Sequence, residues 1–341
     1  MKHKVKKVFI AGGTGFLGYK SAKLFLKMGA KVDTISLPGE LDNLDWFDKR
    51  IGLTLGNLFE MSEEDIYEML KDGGYDTFVY ALGPDERITP PKPAYDFFYS
   101  KLVTECKKIC SAVKRAGIKR CVIMNSYFTY FDQKYNGRLS KNHPYIRARV
   151  DQARELIELG SSGKFDVMIL MLPYIFGTTE GRKPIWRDAL LSHFDKFKSV
   201  MFPRGGGTAV VSAEGVAEAV VAASFNGEHA QMYPIGSTNM TYKELIGAML
   251  EYGNDKRKYK EFPAFLCTLG VLGIKRKNKK EGKENGLDIA KLMTQIQNKK
   301  FYIDPHDTAQ KLSYSELGFD GGGDILQSIK ETMRVCFPER F

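Results

Sequence analysis

Cysteine is scarce in this chain and never paired at close spacing. Five cysteines stand at positions 106, 110, 121, 267 and 336 of 341 residues, with no CxxC among them. An odd count in a chain this long is not a disulfide framework. It fits a reducing compartment, so a cytoplasmic location is expected. The five histidines are scattered, and none stands at metal-ligand spacing from a cysteine or aspartate, so no metal site is expected. Cys106 and Cys110, four apart on an expected helix, have no ligand cluster nearby and read as small buried hydrophobes. No apolar run is long enough for a membrane-spanning helix, so no integral membrane segment is expected. The basic start MKHKVKK is followed by only a few apolar residues before glycines interrupt, which disfavours a secretory signal. Internal repeats are absent. No nucleic-acid-binding motif accompanies the net charge of +10, so no nucleic-acid partner is expected.

That positive excess is concentrated in residues 2–7, 256–260 and 275–283. Short runs of this kind read as solvated surface rather than as a binding stripe. Hydrophobic residues make up 43% and aromatics 12%, enough for a substantial core. Short β-rich runs at 7–11, 31–37, 77–81, 121–125 and 167–172 alternate with helical spacing at 19–28, 95–116 and 145–159. That alternation predicts an α/β fold, a Rossmann-type doubly wound parallel sheet with helices on both faces. After Pro173 the regularity falls. Residues 213–223 form a small-residue helix and 231–235 a late strand. Residues 241–251 form a helix opened by Thr241 with Glu244 three positions on, a capping box. The Lys/Gly/Asn-rich segment 275–286 reads as a disordered loop. The apolar stretch 262–274, flanked by basic runs, contains Pro263, Gly270 and Gly273, which weaken a helix. Packing within a small C-terminal domain is expected there in preference to a membrane-surface helix.

The strand VFIA runs into Gly12-Gly13-Thr14-Gly15-Phe16-Leu17-Gly18 and then a helix. Gly12 permits a tight turn, Gly15 lets the backbone approach a diphosphate, and Gly18 lets the helix pack close to the sheet. The helix N-terminus, with Thr14, Gly15, Phe16 and Leu17 leading into it, offers unsatisfied N–H groups and a partial positive charge. A strand–glycine loop–helix unit of this kind predicts a nicotinamide dinucleotide as cofactor. The second strand ends in Ser36 and Leu37. It carries neither the carboxylate that selects NAD nor the arginine that selects NADP, so both stay open. Asn57 is placed to bond the adenine, and Leu82 and Gly83 to line the ribose side.

These motifs resemble the extended and atypical short-chain dehydrogenase/reductases, the NAD-dependent epimerase/dehydratase group. GGTGFLG matches the family's GxxGxxG, YDTFVYALG its strand ending in small residues, and KRCVIMNSYFTY its strand bearing the active-site serine. YIRAR falls where the family has YxxxK, LPYIFG matches the strand end beside the nicotinamide, and YPIGSTNMTYKEL matches a late strand and helix. The resemblance implies that Ser126 polarises a carbonyl and that Tyr145 is the acid/base. Position 149, on the same helix face, should hold the cation that lowers the tyrosine's pKa. Here the chain departs from the pattern: that position is Arg149, which keeps the charge but cannot relay a proton. Tyr130 and Lys134 also spell YxxxK, but their Asp/Asn/Gly surroundings argue against a helix. Tyr130 instead matches a loop tyrosine that touches substrate.

Pro173, Tyr174 and Phe176 should form the nicotinamide and substrate wall. In GRKPIWRD, Arg182 and Arg187 flank Trp186 as candidates to hold an anionic group. His143 precedes Pro144 beside Tyr145 and is expected to be an exposed loop residue. The expected organisation is a cofactor domain over 1–175, rejoined by 205–236, with a substrate lobe from 176–204 and 237–341. The implied function is redox or epimerase/dehydratase chemistry on a carbonyl or hydroxyl of a small metabolite, anionic or a sugar nucleotide. Family resemblance implies a homodimer through helices 95–116 and 145–159. Arg149 and Ser36 also fit a non-catalytic dinucleotide-binding sensor or scaffold.

Overall fold

The computed structural model describes residues 1–38 and 45–341. The first half alternates β1 (Lys7–Ala11), α1 (Phe16–Lys27), β2 (Lys31–Ser36), β3 (Gly52–Leu55), α2 (Glu63–Leu70) and β4 (Thr77–Tyr80). Next come α3 (Ala94–Tyr99), a π-helical segment Ser100–Thr104, α4 (Glu105–Arg115), β5 (Arg120–Ser126), α5 (Tyr127–Lys134), α6 (Pro144–Gly160) and β6 (Asp166–Leu172). The second half holds β7 (Tyr174–Phe176), α7 (Trp186–Ala189), β8 (Ser199–Pro203), β9 (Gly207–Ser212), α8 (Ala213–Asn226), β10 (Met232–Pro234), β11 (Thr238–Thr241), α9 (Tyr242–Tyr252) and β12 (Lys258–Phe262). The C-terminal part adds α10 (Ala264–Lys280), α11 (Ile289–Gln295), β13 (Lys300–Phe301), α12 (Pro305–Lys311), α13 (Tyr314–Leu317) and α14 (Ile325–Cys336).

Among the described residues, seven strands form the main sheet in the order β10-β6-β5-β4-β1-β2-β3. Every pairing in it is parallel. β4, β5 and β6 are buried on both faces because helices cover both, which is why residues 78–80, 121–124 and 167–172 read as apolar runs. On one face Phe78, Ile109, Val113, Ile123 and Leu156 pack together; on the other, Val8, Ile10, Phe25, Val122 and Val220 do. Arg120 ties α8 to the sheet. Its guanidinium donates to the carbonyls of Ala223, Ser224 and Gly227 at the helix C-terminus and to Asp166. A cation there complements the helix dipole.

The chain reverses sheet direction between β1 and β4, so a crevice opens at their C-terminal ends. This is the switch point where doubly wound sheets bind ligands. A second sheet, in which β9 pairs with β7, β11 and β13, carries a separate core around Phe176, Trp186, Met249 and Met333. α8 and β10 return to the main sheet between these elements. The expected capping box opens α9 as read: Thr241 and Glu244 satisfy each other's backbone N–H groups.

Two local expectations are overturned. Residues 127–134 are helical. Ser126 caps the helix through the Phe128 N–H, and Phe131 stacks on the distant Phe301 with centroids 4.2 Å apart. The segment 275–286 is not a loop throughout, because α10 runs on to Lys280. Lysine and arginine are good helix formers, and a basic last turn suits the C-terminal dipole. Residues 264–274 pack on α11 and β8 by one face, with Thr268 against Ala290, although no residue of α10 is fully buried.

Candidate active site

The glycine loop sits at the crevice. Gly12 adopts φ +89°, a left-handed conformation that a side chain would strain, and a Cβ there would lie 2.7 Å from the Ala81 carbonyl. A Cβ on Gly18 would lie 2.1 Å from the Gly12 carbonyl, so glycine alone lets α1 start this close to β1. No side chain caps α1 at Gly15, and its first turn holds no acid. Its leading amides are therefore open to an anion, and the residues present fit the diphosphate of a dinucleotide. Thr14 and Ser36 share a hydroxyl–hydroxyl hydrogen bond of 2.8 Å across the loop. Leu82 faces Gly12, and Gly83 adopts φ +115° beside Leu102. Asn57 spends its Oδ1 on the Phe59 N–H within its own turn.

Tyr145 and Arg149 lie one turn apart on α6 and meet: the Arg149 Nε donates to the Tyr145 hydroxyl at 3.0 Å. Both are buried, and Phe98 packs edge-on against the tyrosine ring. The guanidinium is held by two further acceptors, the Met124 carbonyl (3.3 Å) and Gln152 Oε1 (2.9 Å). Met124 is on β5, two residues before Ser126, so the arginine links α6 to the strand bearing the serine. Ser126 is opposite Leu172 in the sheet register, and Pro173, also buried, follows directly.

The pKa of Tyr145 is raised, not lowered as the sequence implied. Burial pushes it up, Arg149 pulls it down, and the carboxylates Glu86 and Asp85 push it up again. Desolvation disfavours the phenolate more than one cation favours it. Burial, with Asp85 beside it, also pushes the Glu86 carboxyl up.

Several residues that hold the site were not singled out from sequence. Asn125 bridges strand and helix: its Nδ2 donates to the Arg149 carbonyl and to Gln152 Oε1, and its Oδ1 accepts from Ser126 N and Thr129 Oγ1. A polar residue inside an otherwise apolar strand was the available signal. Gln152, three residues beyond Arg149, shares its helix face. Glu86 had no signal, because only the fold brings the loop after β4 to α6. His143 is fully buried rather than exposed: its Nδ1 accepts from Asp288 N at 3.0 Å, and burial lowers its pKa to about 4.

The remaining candidates separate. Tyr174 packs near Trp186, Tyr127 and Tyr242, and burial pushes its phenol to about 12. Phe176 has no exposed surface and stacks on Trp186, whose Nε1 donates to the Ile175 carbonyl. Tyr130 packs against Phe131, with Lys134 near its ring. The cation pair expected around Trp186 does not form. Arg182 donates to the Thr14 carbonyl in the glycine loop, and Arg187 pairs with Glu339 and the Cys336 carbonyl. Among the described residues no cluster of metal-ligating side chains forms, and burial raises the thiol pKa values of Cys106 and Cys110.

The parallel sheet, the crevice at its switch point and the glycine loop at residues 12–18 are those of a Rossmann-type dinucleotide-binding fold. The chain belongs to the NAD dependent epimerase/dehydratase family, whose model matches residues 8–236. Among curated proteins it is similar to sterol-4-alpha-carboxylate 3-dehydrogenase, decarboxylating. The Bos taurus protein is 25% identical over 152 residues, 45% of this chain and 39% of the relative. The Homo sapiens protein is 23% identical over 154 residues, 45% and 38% of the two chains. The match thus spans about two-fifths of the relatives' length. Among solved structures the chain is similar to gox2253, with TM-score 0.74 and 14% identity, covering 97% of each chain. It is also similar to UDP-glucose 4-epimerase from Bifidobacterium longum in complex with NAD+ and UDP, with TM-score 0.69 and 13% identity over 98% and 100% of the chains. A third is dTDP-glucose 4,6-dehydratase from Bacillus anthracis in complex with NAD, with TM-score 0.66 and 12% identity over 98% and 100%.

Proposed function

We propose that this chain is an NAD-dependent oxidoreductase or epimerase acting on a carbonyl or hydroxyl carbon of a small anionic metabolite of the sugar-nucleotide kind. The observation that carries this reading is the 3.0 Å bond from the Arg149 Nε to the buried Tyr145 hydroxyl. The dinucleotide, when bound, accepts or supplies the hydride. The cradle from Gly12 to Gly18 would hold its diphosphate, with Asn57, Leu82, Gly83 and Pro173 along its length. NAD is favoured over NADP because the family is NAD dependent and two of the similar structures hold NAD. The sugar-nucleotide class is supported by the ligands named for the similar structures.

Each hydride exchanged with a carbonyl carbon requires one proton at its oxygen. Tyr145, kept protonated by burial, gives that proton to the alkoxide in reduction and takes it back in oxidation. Arg149 stabilises the phenolate left behind. Its guanidinium cannot lose a proton, so recharging of the tyrosine must run through solvent or substrate. Ser126 orients and polarises the carbonyl, and Tyr174 stands on the substrate side. A homodimer through α3, α4 and α6 belongs to the same reading.

Tyr145→Phe removes the proton donor and leaves the cradle intact. Turnover with a sugar-nucleotide panel should fall by about 10²–10⁴-fold while the thermal shift with NAD persists. Undiminished turnover would reassign the site. The arginine supports a second reading, a dinucleotide-binding sensor. A wild-type protein that binds NAD tightly and turns over nothing across the panel would select it.

A further inference from the structure

α10 is a helix of 17 residues with none buried. Its polarity changes along its axis. The first eleven residues, 264–274, carry no charge, whereas 275–280 hold five cations, Lys275, Arg276, Lys277, Lys279 and Lys280. Half-buried Cys267, Thr268, Val271 and Leu272 mark the inner side, where Thr268 Oγ1 donates to the Ala290 carbonyl of α11. Phe265, Leu266 and Leu269 are 62%, 43% and 60% exposed, and helical spacing continues their stripe through Gly273 to Arg276 and Lys280. Ile274 is exposed as well, at 54%. Four large apolar side chains left in water on one helix are a docking surface, not scatter.

The adjoining charges identify the occupant. Lys275 pairs with Asp288, and Lys277 lies 3.9 Å from Glu281. Arg276, Lys279 and Lys280 make no ion pair among the described residues, nor do exposed Lys256, Lys258 and Lys260 on and beside β12, which leads into α10. Eleven uncharged residues span roughly 16 Å, about half the hydrocarbon thickness of a bilayer. No helix is long and apolar enough to cross a membrane among the described residues. A second copy of this chain would bring like charges together, and a nucleic acid would leave the apolar stripe without a partner.

We propose that α10 seats this protein on an anionic membrane surface. Its apolar half enters one leaflet, and its basic half, with the lysines of β12, meets the phosphates. The seat is coupled to the catalytic helix through the chain leaving α10. Gly282 accepts from Lys92 N, Gly286 accepts from Tyr145 N at the start of α6, and Asp288 N donates to His143.

Flotation of the full chain with vesicles tests this. Phosphatidylcholine vesicles are compared with vesicles carrying about one-third phosphatidylserine. Binding is expected only to the anionic vesicles and should weaken at high salt. Leu266→Ser/Leu269→Ser and Arg276→Glu/Lys280→Glu should each weaken it about tenfold or more, with the NAD-induced thermal shift unchanged. No flotation with anionic vesicles, equal flotation with neutral ones, or unaltered binding by either double variant overturns the proposal. So does a dimer in size-exclusion chromatography that Leu266→Ser/Leu269→Ser splits, which would assign the stripe to a second copy. RNA oligomer binding lost only in Arg276→Glu/Lys280→Glu, without vesicle binding, would assign the cations to nucleic acid.

Discussion

α8 and α10 are both helices rich in apolar residues, and they meet opposite fates. α8 is built from alanine and valine, and nearly all of it is buried between α1 and the main sheet. Its small side chains let a neighbouring backbone come close, so its apolar surface is consumed by the fold. α10 carries phenylalanine, leucine and isoleucine, and none of it is buried. The contrast teaches that apolar content alone does not place a helix. What decides is whether a complementary surface exists within the same chain.

The largest effect that would sharpen this comparison is expected from Val220→Asp in α8. It puts an unpaired charge where the native side chain has no exposure. Loss of about 4 kcal/mol is expected, seen as a large fall in melting temperature. A variant with near-native melting temperature would break the account of α8.

Between the two helices in effect is His143, buried where α6 meets the chain leaving α10. Its folded pKa of about 4 lies below the ordinary 6.5, so the unfolded chain binds the proton more readily. Stability should hold above the ordinary value and fall as pH drops from about 6.5 towards 4, by up to about 3 kcal/mol. Denaturant titrations across that window check this, with His143→Gln flattening the histidine's share. An unchanged slope in the variant would mean that other groups carry the loss. At the small end, Leu269→Ser on the exposed face of α10 should alter stability by about 0.5 kcal/mol or less in the same titrations. A loss comparable to Val220→Asp would show that the outer face of the helix is packed after all.

Much of the fold was legible because its signals are local. The glycine loop, the strands β1, β2 and β4 to β6, and the Thr241–Glu244 box each depend on residues a few positions apart. α5 is not legible in this way, because Asp132, Asn136 and Gly137 suggest a turn, whereas Tyr127, Phe128 and Phe131 are ordered by Phe301, about 170 residues away. At the site, the meeting of Tyr145 and Arg149 was legible from helical spacing. The direction of the tyrosine's shift was not, because burial and the approach of Glu86 are properties of the assembled crevice.

By itself, the sequence determined that a βαβ unit would present a glycine loop at residues 12 to 18, and that Tyr145 and position 149 would share one helix face. Backbone conformation and helical period settle both within a few residues. Tertiary structure alone decided that Arg149 would lean on Met124 and Gln152, that Arg182 and Arg187 would part company, that His143 would be dry, and that α10 would stay wet. Each of these depends on which surfaces from distant parts of the chain come into contact, and on how much water that contact removes.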